Sequence, residues 1–154
     1  MARVLVVDDD PLIREMLRFV LEDAGHEVSE SSDGEAALVA LTEDAPDCMV
    51  LDLMMPRVDG FGVLQSMRAA GLAPSTRVVI LSCCSRENDY RRGWELGADE
   101  YVTKPVDVDR LVQVVDELST MDEGELEARR SAGITGAVLA ERLDASQHRH
   151  FLRS

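Results

Sequence analysis

The sequence has three cysteines, a single lysine and no long apolar run, and each shortage narrows the class of protein. The cysteines are too few for a disulfide framework, and none has the C-x-x-C spacing of a zinc site. We therefore expect buried thiols in a reducing compartment. No apolar run approaches the roughly 20 residues that cross a bilayer. The sequence thus predicts a cytoplasmic location without signal peptide, anchor or membrane partner.

Positive charge is also scarce. The 16 basic residues stand against 30 acidic ones, for a formal net charge of −14 at pH 7. Such a surface repels phosphates, so the composition argues against direct nucleic-acid binding. Lys104 is the only lysine among the basic residues. A compact ammonium in a chain that otherwise uses arginine marks Lys104 as a candidate site residue, unless its place is accidental.

Apolar residues alternate between short strand-like runs and longer helical repeats. The run before Asp8 is continuous, as in a strand buried on both faces of a parallel sheet. Pro11 after Asp10 then predicts a capped helix. The predicted strands are Val4–Val7, a weak one around Val28, Asp47–Leu51, Arg77–Leu81 and one near Tyr101–Val102. Five strand–helix units ending near Leu118 predict a doubly wound α/β fold, a parallel sheet with helices on both faces.

Polar side chains stand where these strands end. In open parallel sheets the ligand site lies beyond the carboxyl ends of the strands, where strand order reverses. We expect these residues to converge there: Asp8, Asp9, Asp10, Asp52, Ser82 and Lys104. Clustered carboxylates repel one another unless a cation lies between them, and Mg²⁺ suits carboxylate and carbonyl oxygens. A carboxylate can also be phosphorylated, with Mg²⁺, an ammonium and a hydroxyl stabilising the transferred group.

Four motifs of the sequence resemble those of a known family. They are Val4–Pro11, Val50–Pro56 with Asp59-Gly60, Val79–Ser82, and Gly97–Pro105. In this order and spacing they resemble the receiver domain of bacterial two-component response regulators, within the CheY-like superfamily. The resemblance covers residues 1–118. It implies a flavodoxin-like, five-stranded sheet in the order 2-1-3-4-5.

The resemblance also implies the role of each acidic residue. Asp52 resembles the phosphoacceptor, so the chain would catalyse only its own phosphorylation and dephosphorylation and would not otherwise be an enzyme. Asp9, Asp52 and the backbone carbonyl of Met54 resemble direct Mg²⁺ ligands. Asp8 resembles the residue that completes the acidic pocket through water.

Three further residues resemble the family's phosphate-binding and switch residues. Ser82 matches a hydroxyl that binds one phosphoryl oxygen, and Lys104 matches a lysine that pairs with another. Tyr101 matches a ring that turns inward when the hydroxyl residue moves toward the phosphate. The peptide bond between Lys104 and Pro105 is expected to be cis. Phosphorylation would then shift a pre-existing equilibrium, because the new contacts form only in the active arrangement.

The implied partners are proteins. A sensor histidine kinase or His-phosphotransfer protein would supply the phosphoryl group, and a downstream protein would bind the face of the fourth helix, fifth strand and fifth helix. Ser82 departs from the commoner threonine. Met54 and Cys84 are apolar where many relatives are polar. Because these two positions line the route of an attacking water, we expect them to alter the lifetime of the phosphoryl group.

Residues 119–154 form a C-terminal extension without a recognisable output domain. Glu123–Arg130 could prolong the last receiver helix. Ile134–Leu143 could form a short amphipathic helix that packs on the receiver or on a second copy, as in a homodimer. The simplest interpretation is a stand-alone receiver, and the alternative is a fragment of a longer regulator.

Two other functions fit parts of the sequence. A haloacid-dehalogenase-like phosphatase would use Asp8 as nucleophile and Asp10 as general acid, with the later serine and lysine in matching order. That interpretation leaves Asp52 unexplained and lacks the further acidic pair that such phosphatases need. A receiver-like binding module that is never phosphorylated would lack the acceptor, the acid pair or the lysine, and this sequence has all of them.

Overall fold

The alternation predicted from the sequence is present in the structure. The structure is a computed structural model that describes the backbone of residues 1–83 and 87–152 and the side chains of residues 1–83 and 90–143. Its elements are β1 Arg3–Val7, α1 Pro11–Asp23, β2 Glu27–Ser31, α2 Gly34–Glu43, β3 Cys48–Asp52, α3 Gly60–Ala70, β4 Arg77–Ser82, α4 Glu87–Glu95, β5 Glu100–Thr103, α5 Val108–Thr120 and α6 Glu123–Leu152.

The five strands form one parallel sheet in the order β2-β1-β3-β4-β5. The predicted order is therefore confirmed. All five residues of β3 are buried, as its uninterrupted apolar run indicates. The edge strand β2 buries only Val28 and Ser31, which explains its weak apolar signal. Strand order reverses between β1 and β3, so a crevice opens at the carboxyl ends of these two strands.

Two apolar cores lie on opposite faces of this sheet. Leucines of α1 and α5, Leu17 and Leu111 among them, pack on one face. Leu64 and Met67 of α3 pack on the other, together with residues of α2. Alternate residues of β1 contribute to opposite cores, since successive side chains of a strand point to opposite faces. This two-sided packing holds the strand ends in fixed relative positions.

Among the described residues before α6, four helices begin with an aspartate whose carboxylate accepts a hydrogen bond from a backbone N–H in the first turn. The caps are Asp10 of α1, Asp33 of α2, Asp59 of α3 and Asp107 of α5. Such caps typically stabilise a helix by about 1 kcal/mol. Asp10 was expected to converge with the other strand-end residues. Its carboxylate instead bonds the N–H of Leu12.

The C-terminal extension differs from both interpretations of the sequence. Met121 is extended, and Asp122 caps a new helix by accepting a hydrogen bond from the N–H of Glu125. Residues 123–130 therefore do not prolong α5. Residues 134–143 are not a short helix but the middle of the 30-residue α6. Within the described residues, no helix combines the length and hydropathy that a membrane span requires.

The two described cysteines differ in burial, so the expectation of buried thiols is correct for Cys48 and wrong for Cys83. Burial raises the pKa of the Cys48 thiol to about 12, whereas Cys83 is exposed. Because the thiolate is the nucleophile, we predict that iodoacetamide labels Cys83 in the native protein and leaves Cys48 unmodified. Peptide mass spectrometry resolves the two, since Cys48 is the only cysteine in tryptic peptide 19–57. Both should react in guanidinium, and equal labelling in the native protein would contradict the prediction.

Candidate functional site

The carboxyl ends of four strands bring polar side chains together at the crevice. Asp8 directly follows β1, Asp52 ends β3, Ser82 ends β4 and Lys104 directly follows β5. The strands are held in register, so that the N–H of Lys104 donates to the carbonyl of Ser82 at 2.9 Å. Asp8, Asp52 and Ser82 are each at most 3% exposed. The sheet thus collects at one place residues that are up to 96 positions apart.

The ammonium of Lys104 joins the two buried carboxylates. Its Nζ atom lies 3.1 Å from Oδ2 of Asp8 and 3.3 Å from Oδ1 of Asp52. Lys104 is therefore part of this group, as predicted from its being the only lysine of the chain. The peptide bond between Lys104 and Pro105 is cis, as expected.

The charges at the site shift the pKa values of two groups. Burial, and then the negative charge of Asp8, raise the pKa of Asp52, although Lys104 and the N–H of Met54 act in the opposite direction. Burial tends to lower the pKa of Lys104. The hydrogen bond to Asp8 and the charges of Asp52 and Asp8 outweigh that effect and raise it. Lys104 is therefore cationic at neutral pH, and it does not fully offset the repulsion between the carboxylates.

Three carboxylates of the site are close enough to share a cation. Asp8, Asp9 and Asp52 each offer an oxygen, and these atoms lie within 4.8 Å of one another. Asp9 is exposed at the mouth of the site, whereas the other two are buried. A group with only oxygen donors suits a hard divalent cation such as Mg²⁺. Three carboxylates and one ammonium leave the site with excess negative charge. A divalent cation would balance that charge.

Local backbone contacts hold the two buried carboxylates in place. Oδ1 of Asp8 accepts from the N–H of Asp10 at 2.9 Å, and Oδ1 of Asp52 accepts from the N–H of Met54 at 3.2 Å. Arg14 donates to the carbonyl of Asp8 at 2.6 Å. Sequence reasoning missed Arg14, because nothing in its spacing distinguishes it from other helical arginines. At Gly60 a Cβ would overlap the Asp52 carbonyl, so glycine permits α3 to begin there.

The structure places Tyr101 beside α4. Its ring centroid lies 4.6 Å from that of Tyr90 and 5.8 Å from that of Trp94. A Cβ at Gly93 would overlap its hydroxyl group. The side chain of Met54 is 61% exposed. Cys84, which we paired with Met54, lies outside the described residues.

A family model confirms the class of protein that this fold and site indicate. Residues 4–116 match the response regulator receiver domain. The chain therefore belongs to the response regulator receiver family, whose members are signalling proteins. Neither the phosphatase nor the unphosphorylated binding module is favoured by this match. Receivers of this family typically bind Mg²⁺ at an aspartate cluster, and the group around Asp52 fits that pattern.

The individual relatives agree with the family. The chain is 38% identical to the "DNA-binding dual master transcriptional regulator RpaA" of Synechocystis, over 73% of this chain and 46% of that protein. It is 39% identical to the phosphate regulon transcriptional regulatory protein PhoB of Escherichia coli, over 71% and 48%. A solved Francisella receiver domain, response regulator 1452, matches with a TM-score of 0.73 and 32% identity, over 77% of this chain and 97% of that chain.

The chain spans about half the length of these two curated relatives. Their names describe transcriptional regulators, and one is described as DNA-binding. The comparisons therefore do not support our expectation that nucleic acid is excluded as a partner. That expectation considered the charge of this chain alone.

Removing the charge of Asp52 should stabilise the metal-free protein. In EDTA at neutral pH we predict that Asp52→Asn raises the free energy of unfolding by roughly 0.5–2 kcal/mol, the usual range for stabilising substitutions. The reason is the burial and the repulsion that raise the pKa of Asp52. The gain should shrink as the pH falls through that raised pKa, because protonated Asp52 no longer repels Asp8.

Urea denaturation of the two proteins across this pH range measures the difference. Asp59→Asn is the matched control, since asparagine also caps helices and Asp59 lies at the start of α3. Lower stability of Asp52→Asn in EDTA would show that the pairing with Lys104 outweighs the repulsion.

Proposed function

We propose that Asp52 accepts a phosphoryl group from a histidine kinase or a His-phosphotransfer protein, and that the chain then changes its binding to a downstream partner. The observation that supports this most directly is the Lys104 ammonium between the buried carboxylates of Asp8 and Asp52. In this proposal, residues 1–118 are the receiver and residues 119–154 are an extension. The chain acts in the cytoplasm and catalyses only its own phosphorylation and dephosphorylation.

The proposed reaction transfers the phosphoryl group to a carboxylate oxygen. An oxygen of Asp52 attacks the phosphorus atom of the phosphohistidine, the P–N bond breaks, and the imidazole leaves with the electron pair and takes up a proton. Lys104 and Ser82 each stabilise a phosphoryl oxygen. Asp9, Asp52 and the backbone carbonyl of Met54 would hold Mg²⁺, with Asp8 completing the pocket, and the ion when bound supplies positive charge to the phosphoryl oxygens.

Phosphorylation would change the surface through two residues next to the site. Ser82 ends β4, where its register partner in β5 is Thr103, and Tyr101 pairs with Ile80 two positions earlier. A phosphoryl group on Asp52 that draws in Ser82 would favour an inward position of the Tyr101 ring. The proposed readout face is therefore formed by α4, β5 and α5. A downstream protein or a second copy of this chain would bind there.

The position of Asp10 supports Asp52 as the nucleophile instead of Asp8. A phosphatase that used Asp8 would need the Asp10 carboxylate as its general acid. Here that carboxylate bonds the N–H of Leu12 and caps α1. Lys104 contacts Asp52 directly, which the phosphatase interpretation leaves without a role.

Acetyl phosphate should phosphorylate the protein once in the presence of Mg²⁺. Intact mass spectrometry should show one added phosphoryl group on the parent and on Asp59→Asn, and none on Asp52→Asn. EDTA should abolish the gain, because the carboxylates then repel the incoming anion. A phosphoryl group on Asp52→Asn would assign the acceptor elsewhere. No gain on the parent, with beryllofluoride also failing to bind, would support the binding module.

The lifetime of the phosphoryl group should depend on the residue at position 54. Met54 is exposed beside Asp52, and its apolar side chain cannot orient a water molecule. We predict that Met54→Asn accelerates dephosphorylation severalfold, because an amide can position the attacking water. Loss of the phosphorylated mass after donor removal gives the rate. Cys84→Glu tests the second position in the same way, and unchanged rates in both variants would contradict the expectation.

A further inference from the structure

Helix α6 covers part of the proposed readout face. Arg129 donates to the carbonyl of Asp99 at 3.0 Å and forms an ion pair with Glu100 at the start of β5. Nε of Arg130 lies 2.7 Å from Oδ1 of Asp99, a carboxylate with no exposed surface. Among the described residues, Arg130 is the only ion-pair partner of Asp99 within 4 Å. Helix α6 thus supplies the positive charge for a buried carboxylate of the receiver.

The same helix contacts α4 through small residues. A Cβ at Gly133 would overlap the indole ring of Trp94, so the backbone of α6 lies directly against that ring. One turn farther along, Ala137 is buried. Arg91 of α4 pairs with Glu141 at 3.2 Å. We name the surface formed by Arg91, Trp94, Asp99 and Glu100 the α4–β5 surface.

The packing between α6 and the α4–β5 surface is incomplete. A groove of about 260 Å³ that opens to solvent lies between the two helices, lined by Tyr90, Trp94, Gly133, Gly136, Ala137 and Ala140. The contact combines two buried apolar residues of α6, Leu126 and Ala137, with ion pairs and one ring–backbone contact. Because the groove leaves part of this contact open to water, it suits an interface that separates more than one that is permanent.

Tyr101 connects this interface to the phosphorylation site. Its ring lies against Trp94, and Trp94 in turn lies against Gly133 of α6. Tyr101 is three positions before Lys104 on the strand whose partner, β4, ends at Ser82. A movement of the Tyr101 ring would remove one side of the packing that holds Trp94 in place. Helix α6 would then lose its contact at Gly133.

We propose that the α4–β5 surface is a helix-binding site, which α6 occupies in the unphosphorylated protein and leaves when Asp52 is phosphorylated. The inference rests on the proposed function of Asp52. It also defines the kind of partner that the vacated surface fits. Such a partner presents a helix with cationic residues toward Asp99 and Glu100, and a glycine or alanine one turn later toward Trp94.

Trp94 is a built-in reporter of this interface, since it is the only tryptophan in the chain. The experiment uses the full chain with Mg²⁺ and beryllofluoride, and acetyl phosphate with intact mass first establishes whether Asp52 is modified. Beryllofluoride should raise the quenching of Trp94 fluorescence by acrylamide. It should also accelerate backbone hydrogen exchange in residues 126–140 of α6. Asp52→Asn should show neither change.

Two glycines of α6 provide matched variants. Gly133→Ala and Gly136→Ala raise helix propensity equally, but only a Cβ at position 133 meets Trp94, since nothing lies within 4 Å of one at position 136. Because coupling between two sites is reciprocal, loosening α6 should favour the activated state. We expect Gly133→Ala to bind beryllofluoride at least about fivefold more tightly by titration calorimetry. Gly136→Ala should bind like the parent.

The outcomes distinguish a failure of the helix-release inference from a failure of the proposed function of Asp52. A parent that gains the phosphoryl mass, with no change in the hydrogen exchange of α6, would overturn the helix-release inference and leave the proposed function intact. Equal beryllofluoride affinities in the two glycine variants would also overturn it. If Asp52 accepts no phosphoryl group and beryllofluoride does not bind, the proposed function fails and the inference fails with it.

Discussion

The ammonium of Lys104 lies between the carboxylates of Asp8 and Asp52. This contact lowers the repulsion between the two carboxylates, and the rest of the site depends on it. Two buried carboxylates at the ends of neighbouring strands would otherwise repel strongly in a medium that screens charge poorly. The parallel sheet creates the problem, because the reversal of strand order places β1 beside β3 at the crevice. It also provides the solution, since the chain leaves β5 at the same edge and continues into Lys104.

The strand ends were predictable from the sequence because burial on both faces leaves a continuous apolar run, and the first polar residue after it marks the edge of the sheet. Asp8 and Asp52 are located in this way, whereas Lys104 stands out as the only lysine of the chain. The path of α6 was not predictable by the same reasoning. Its buried residues among those described are Leu126 and Ala137, and its contact residues Arg130 and Gly133 are partly buried, so that these positions carry no apolar periodicity. Leu139, inside the segment expected to form a short amphipathic helix, is 53% exposed.

The acidity of the chain combines several structural roles that composition cannot separate. Some aspartates cap helices, as Asp33 and Asp59 do. Others line the crevice, and Asp99 is buried against Arg130 of α6. A net charge counts all of these equally, although a capping carboxylate and a buried ion pair say little about which macromolecules the surface can approach. For this reason the charge argument against nucleic acid was weaker than it appeared from the totals.

The isolation of Lys104 has a chemical consequence beyond phosphorylation. Apart from the α-amino group, its ammonium is the only amine in the chain, and it is held between two carboxylates. Any acylating agent that reaches a lysine side chain of this protein therefore reaches the functional crevice. Acylation there would remove the one positive charge that separates Asp8 from Asp52. A protein with many lysines spreads such chemical damage over its surface, whereas this one concentrates it at a single point.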